Sequence, residues 1–429
     1  MKLNLADQIL LSGLLPAENC RRRLSLLLAQ EAAPDWATIV RRARLHLIAP
    51  LLRRQLALAG GLDHLPAPVR QELDEHCQGL AARELAALHK CRQLLGELAA
   101  AGITAIPLKG TALILSGCYP QPGLRPASDI DLLAPREQLA QAERIAGASG
   151  WRLDKDNGAP EPETEAPHFL PRGEYRLPSE LNHADLRRGQ GGLMLELHWR
   201  AFHFTRAGRD FGYDTVLERA RPQRGVDGVS YLLPAPVDLA LHLIHHTFVD
   251  LRSAQLILRT IADLYFIEQA FPGTLVQLPA RAAAFRLGAA AAAAVQLLSL
   301  LRDGAVAEIE AVAAGLPGAP EQTALLESAL LENPQSLALA AWMAEHFDLR
   351  GSLAGAAENI AAIVLTSREH LARTYDRPPS GRTGTAPSGR TWLYYPRRVL
   401  DVLRRFEWQS LHPATWRRLR RLRKISRPS

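Results

Sequence analysis

Through the first hundred residues, apolar side chains return every three or four positions, the spacing of a helix face turned to a core. Asp35 stands where it can cap a helix carrying Trp36, Ile39, Val40 and Ala43, and Pro50 opens another through Leu51, Leu52 and Leu56. From 67 to 100 the apolar positions are Val69, Leu73, Cys77, Leu80, Leu88, Cys91, Leu95 and Leu98, which predicts one long amphipathic helix. Ala101-Gly102 is a fitting end for it.

The pattern then changes. Ile103–Leu108 is a short strand-like run, followed by Lys109-Gly110 and a helical stretch, Thr111–Ser116. Pro120, Pro122, Gly123 and Pro126 make a loop, and a second strand is predicted over Ser128–Leu133. Pro135 starts an amphipathic helix to about Ala148, and Trp151-Arg152-Leu153 suggests another strand. Residues 154–178 hold acids and prolines without periodicity, as a surface excursion would. Gly192–Trp199 alternates as a strand, and Pro236–Tyr375 reads helical, broken at Pro272, Pro317 and Asn333-Pro334. Residues 376–391 have the composition of a flexible linker. The expectation is an α+β fold, a small mixed sheet flanked by N-terminal helices and a C-terminal helical bundle. Its segments are 1–100 (helical), 101–234 (sheet core), 235–375 (helical) and 376–429 (linker and tail).

Charge sharpens this picture at one end. Of the net +7 on 429 residues, the segment Arg382–Ser429 carries +11, leaving the remaining body at −4. Such a body does not suit duplex DNA. In the tail, Trp416, Leu419, Leu422 and Ile425 recur every third position among Arg417, Arg418, Arg420, Arg421, Arg423 and Lys424. This basic amphipathic helix suits an anionic membrane surface, RNA or an acidic protein partner, and a solvated end serves equally well as a reading. No run approaches the ~20 apolar residues of a transmembrane segment. The start lacks a signal-peptide layout, and Cys20, Cys77, Cys91 and Cys118 are scattered, so a cytoplasmic protein is expected, its tail offering a peripheral membrane contact.

The candidate chemistry lies in the strand-like segments. In Asp129-Ile130-Asp131-Leu132-Leu133 the two acids share one face, while Ile130 and Leu132 face the other way. Paired carboxylates repel unless a cation sits between them, and their oxygens suit Mg²⁺ or Mn²⁺. In Leu193-Met194-Leu195-Glu196-Leu197-His198-Trp199 the leucines fall on one face and Met194, Glu196 and His198 on the other. A buried Glu196 needs a cation or completes a metal site with the two aspartates. Arg125 can fork onto a phosphate or pair with an acid. Lys109 either offsets phosphate charge or is simply solvated.

The series Ile-Pro-Leu-Lys-Gly (106–110), Arg125-x-x-x-Asp-Ile-Asp-Leu-Leu (129–133) and Leu-Glu-Leu-His-Trp (195–199) resembles a poorly characterised bacterial nucleotidyltransferase family within the DNA polymerase beta-like superfamily. The resemblance covers about residues 35–270. It implies a transferase moving a nucleoside monophosphate from a nucleoside triphosphate, ATP by default, to an unknown acceptor by a two-metal displacement. By the same resemblance Asp129, Asp131 and Glu196 are the catalytic, metal-binding acids. Gly110 and Thr111 match the superfamily's Gly-Ser phosphate turn, Thr standing for Ser, with Lys109 and Arg125 beside the phosphates. The rival is a non-catalytic binding or regulatory module on the same fold, in a biosynthetic or toxin–antitoxin-like operon.

His242, His245 and His246 invite a zinc reading, but without a His-Glu-x-x-His spacing a packing network is favoured, with Arg259 and Asp263 tying the helices. His198 is placed to line an acceptor pocket.

Overall fold

The periodic stretch after Pro66 forms one 34-residue helix, Ala67–Ala100 (α5), which buries Leu73, Cys91, Leu95 and Leu98. It ends as its sequence requires. Gly102 takes the left-handed conformation, φ +77°, Ile103 N–H donates to Leu98 O at 2.9 Å, and Gly102 N–H donates to Ala99 O at 3.0 Å. These are the paired bonds of a Schellman cap. The computed structural model describes residues 3–304 apart from 30–33, 127–128, 154–182, 188–193, 203–209, 226–227, 229 and 250–256, together with Ile309 and Leu330. The acidic excursion at 154–178, the linker, the basic tail and most of the helical stretch beyond 304 therefore lie outside the described residues.

Four shorter helices precede α5: α1 (Leu5–Ser12), α2 (Glu18–Leu28), α3 (Trp36–Leu45) and α4 (Ala49–Leu58). Asp35 caps α3 by accepting from Thr38 N–H, and Pro50 sits in the first turn of α4. In α1 the Asn4 and Asp7 side chains cap each other's backbone. Arg42 of α3 reaches Asp7 at 2.8 Å in a buried pair.

After α5 come β1 (Ile106–Pro107), α6 (Lys109–Leu115), β2 (Asp129–Leu133), α7 (Leu139–Ala148), β3 (Arg152–Leu153), β4 (His183–Arg187) and β5 (Met194–His198). The strands form one sheet in the order β1-β2-β5-β4-β3. Only β2 and β5 run parallel; the other pairs are antiparallel. The first strand is shorter than its apolar run predicts, because Ile103 closes the cap of α5 and the chain turns into α6 at Lys109. The helix expected from Pro135 begins with a 3₁₀ turn, Arg136–Gln138. Ile130, Leu132, Leu195 and Leu197 are all at most 1% exposed, so the apolar faces read from alternation do form the core, and α5 and α6 pack on β2.

Beyond the sheet lie α8 (Tyr213–Leu217) and a hairpin, β6 (Arg221–Arg224) and β7 (Ser230–Leu233), which the sequence pattern does not predict. The helices α9 (Pro236–Ile244), α10 (Ile257–Ala270), α11 (Thr274–Ala283) and α12 (Gly288–Asp303) follow, α9 running into a wider π-type turn at His245–Val249. The fold is thus α+β, a small sheet core flanked by helices. No helix among the described residues is long and apolar enough to cross a membrane.

Candidate active site

Register brings the acids together. The parallel pairing sets Asp131 opposite Glu196, Asp129 opposite Met194 and Leu133 opposite His198. Since side chains alternate along a strand, Asp129, Asp131, Glu196 and His198 share one face of the sheet. Asp131 Oδ1, Glu196 and His198 each offer a donor atom within 4.8 Å of the other two. His198 Nε2 lies 2.9 Å from Asp131 Oδ1 and 3.3 Å from Glu196 Oε2. Asp129 is outside that tight group yet close enough to feel its charge. Burial and the neighbouring Asp131 push its carboxyl up to about 6.

Lys109 is not solvated. Its side chain is 13% exposed, and Nζ lies 2.6 Å from Asp131 Oδ1 and 3.4 Å from Glu196 Oε2. Burial alone would lower its pKa, but the charges of Asp131, Glu196 and Asp129 outweigh burial and raise it. In return Lys109 and His198 hold Asp131 well below the usual carboxylate range, against the effect of burial. The His198 imidazole, which burial would push down, is raised by its hydrogen bonds to Asp131 and Glu196. To place its side chain here Lys109 adopts φ +43° at the start of α6, a conformation costing a non-glycine residue on the order of 1 kcal/mol.

Thr111 and Arg125 each make a contact within the protein. Thr111 Oγ1 accepts from Asp131 N–H at 3.2 Å, pinning α6 to β2. Arg125 is buried and forks onto Asp263 of α10, Nε to Oδ1 at 3.0 Å and NH2 to Oδ2 at 3.1 Å. Tyr119 donates to the same Oδ1 at 2.5 Å, and Arg259 donates to Pro126 O at 3.3 Å. The pairing of Arg125 with an acid is therefore the arrangement formed, and Arg259 and Asp263 tie α10 to the loop before β2. The third nitrogen of Arg125 lies against Gly110, where a Cβ would stand 2.0 Å from it. Gly110 is required by this close approach, in a helix position that would otherwise accept any small residue.

Of the histidines, His245 stacks on Phe202 with ring centroids 3.9 Å apart. His246 lies near the carboxylates, and burial and the charge of Lys109 push its imidazole well below the usual range. Among the described residues the grouped metal-donor atoms belong to Asp131, Glu196 and His198, with no second group at these helical histidines. His198 was expected only at an acceptor pocket. Its position two residues after Glu196, on the same strand face, was the available signal for a closer role.

A small mixed sheet thus presents acids from two adjacent parallel strands to a lysine and a histidine, grouping donor atoms that could hold a metal ion. Residues 32–303, well over half of the chain, match the family described as uncharacterised nucleotidyltransferase. The chain belongs to that family and is a transferase whose acceptor is unknown. No curated protein matches it.

Proposed function

We propose that the protein transfers a nucleoside monophosphate from a nucleoside triphosphate, ATP by default, to an acceptor hydroxyl or phosphate. The observation supporting this reading is the register that sets Asp131 against Glu196, in a chain of nucleotidyltransferase family. The donor set suits Mg²⁺ or Mn²⁺, since it consists of carboxylate oxygens with one imidazole, and an ammonium already occupies a place between two of the oxygens. Asp129, Asp131 and Glu196 would hold the metal, with His198 beside them. Bound there, divalent metal lowers the pKa of an acceptor hydroxyl and neutralises charge on the phosphates.

The protein's own groups have distinct tasks in this scheme. Asp131, kept ionised by the charge of Lys109 and its hydrogen bond with His198, supplies an anionic oxygen. Glu196, 15% exposed at its side chain against 2% for Asp131, is placed to meet an incoming acceptor. Lys109 is the cation nearest the site that can turn to a phosphate. Thr111 ties α6 to β2 and Arg125 packs against Gly110, so the backbone of the turn proposed to face the phosphates stays fixed.

The test is calorimetric titration of each nucleoside triphosphate with and without Mg²⁺ or Mn²⁺, together with pyrophosphate release in the presence of cell extract as the source of acceptor. Binding is expected only with metal. Asp131→Asn should abolish it, while Glu196→Gln should retain binding and lower transfer by about two orders of magnitude or more. Metal-independent binding, or none to any triphosphate, would sink the proposal and favour a non-catalytic module on this fold.

A further inference from the structure

Two nitrogens share the same pair of oxygens. Lys109 Nζ and His198 Nε2 each touch both Asp131 Oδ1 and Glu196 Oε2. They arrive differently. His198 belongs to β5, the strand that carries Glu196, and its place is set by that strand. Lys109 arrives from the junction of strand and helix at the end of a four-carbon stem, from a backbone held at φ +43°. Its ammonium therefore lies on the oxygens to which a divalent ion would bind, carried on rotatable bonds where His198 is carried on its strand.

We infer that Lys109 is a tethered counter-ion that competes with the metal for Asp131 and Glu196, and that an incoming triphosphate draws it away. A divalent ion needs the oxygen lone pairs that the ammonium of Lys109 now occupies, and its double charge would repel that ammonium strongly at contact distance. Without Lys109 the buried carboxylates would repel one another, so the ammonium holds them in position until the metal takes its place. A triphosphate offers the lysine an alternative anion at the moment it delivers a divalent ion. The consequence is ordered binding: metal alone binds poorly, and metal with triphosphate binds well. The part played by the triphosphate rests on the nucleotidyl-transfer reading; the competition between lysine and metal does not.

The experiment uses the full chain and Mn²⁺ alone, without nucleotide, followed by calorimetry and by the electron paramagnetic resonance signal of free Mn²⁺. Lys109→Met and Lys109→Gly, the second matching the left-handed backbone, should bind Mn²⁺ about tenfold more tightly than the wild type or better. Adding Asp131→Asn to Lys109→Met should remove that gain. Melting temperature supplies a second readout. Mn²⁺ should raise it by several degrees in both lysine variants and leave the wild type nearly unmoved. A variant unfolded in chelator and refolded by Mn²⁺ supports the inference. Wild-type affinity in a folded variant, or a variant that saturating Mn²⁺ does not restore, overturns it. A parallel titration with a non-hydrolysable triphosphate analogue separates the two readings. If the variants gain Mn²⁺ affinity but no protein binds triphosphate, the lysine competition stands and the transfer reading falls. If Mn²⁺ and triphosphate bind wild type and variants alike, the lysine competition falls and the transfer reading stands.

Discussion

Gly110, Arg125 and Asp263 form a chain of dependence in which each residue fixes the next. Asp263 is fully buried and holds two nitrogens of Arg125, and the remaining nitrogen leaves no room for a Cβ on Gly110. Asp263→Asn leaves a buried guanidinium short of its counter-charge, a change that costs about 3–5 kcal/mol in comparable pairs. Gly110→Ala should cost about 1–3 kcal/mol through overpacking, because Arg125 is held too firmly to yield. The two effects should not add. In the Asp263→Asn background Arg125 can move aside, so the alanine should cost less there, which a double-mutant cycle in urea would measure. Equal costs in both backgrounds would show that the arginine is not the obstacle. None of this was readable in sequence, since Arg125 and Asp263 are 138 positions apart and either a phosphate or an acid satisfied the arginine equally. Asp129, Asp131 and Glu196 were readable, because two-residue alternation assigns each to the face opposite its buried neighbours.

Among elements, those with a long or uninterrupted period were the legible ones. The helix α5 follows its pattern from end to end, and β2 and β5 follow their alternation. Of the short strands, β1 and β3 fall within runs that read as strands, whereas β4 and the later hairpin were not legible. The strand β4, His183–Arg187, is defined by antiparallel pairing to β5 and β3, and its His-Ala-Asp-Leu-Arg sequence carries no strand signal of its own. The hairpin β6–β7 contains Pro222 and polar residues, and β6 is exposed along its length. One feature inside α5 also escapes the heptad-like pattern. Glu84 is 2% exposed, and burial raises its pKa against the opposing pull of Gly123 N–H and the charge of Arg125. An acid whose pKa is raised on folding favours the fold when protonated and costs stability when ionised. Stability from this group should therefore grow as the pH falls through its raised folded value, and be fully recovered below the ordinary value of 4.5. Glu84→Gln imitates the protonated form. It should stabilise the protein by on the order of 1 kcal/mol at pH 7 and by nothing measurable below pH 4.5, as paired urea melts would show. A destabilising Gln at neutral pH would mean that the ionised carboxylate is a needed partner of the loop.

For the whole molecule, the match to the family ends at residue 303, but packing does not. Ile309 is 1% exposed and Leu330 6% exposed within the same core cluster as the N-terminal helices. Leu330 O accepts from Arg42 at 2.9 Å, the same nitrogen that pairs with Asp7. The pair Asp7–Arg42 is thus closed by a residue 288 positions after the arginine, a dependence that no local period announces. Two truncations should separate this packing from the tail. Ending the chain after Asp303 removes the apolar cover of Ile309 and Leu330 and one acceptor of a buried guanidinium. It should lower stability by several kcal/mol or prevent folding. Ending it after Pro378 removes the basic segment and most of the Pro/Gly/Ser-rich stretch that the sequence sets between it and the body. That protein should melt as the full chain does and keep the metal-dependent triphosphate binding proposed for it. What it should lose is the salt-sensitive binding to anionic liposomes or RNA proposed for the basic segment, which in the full chain should weaken steeply as salt rises from 50 to 300 mM. Equal melting temperatures for the two truncations would show that the segment around Leu330 adds nothing to the fold. Unfolding of the longer one would show that the tail belongs to the packed body.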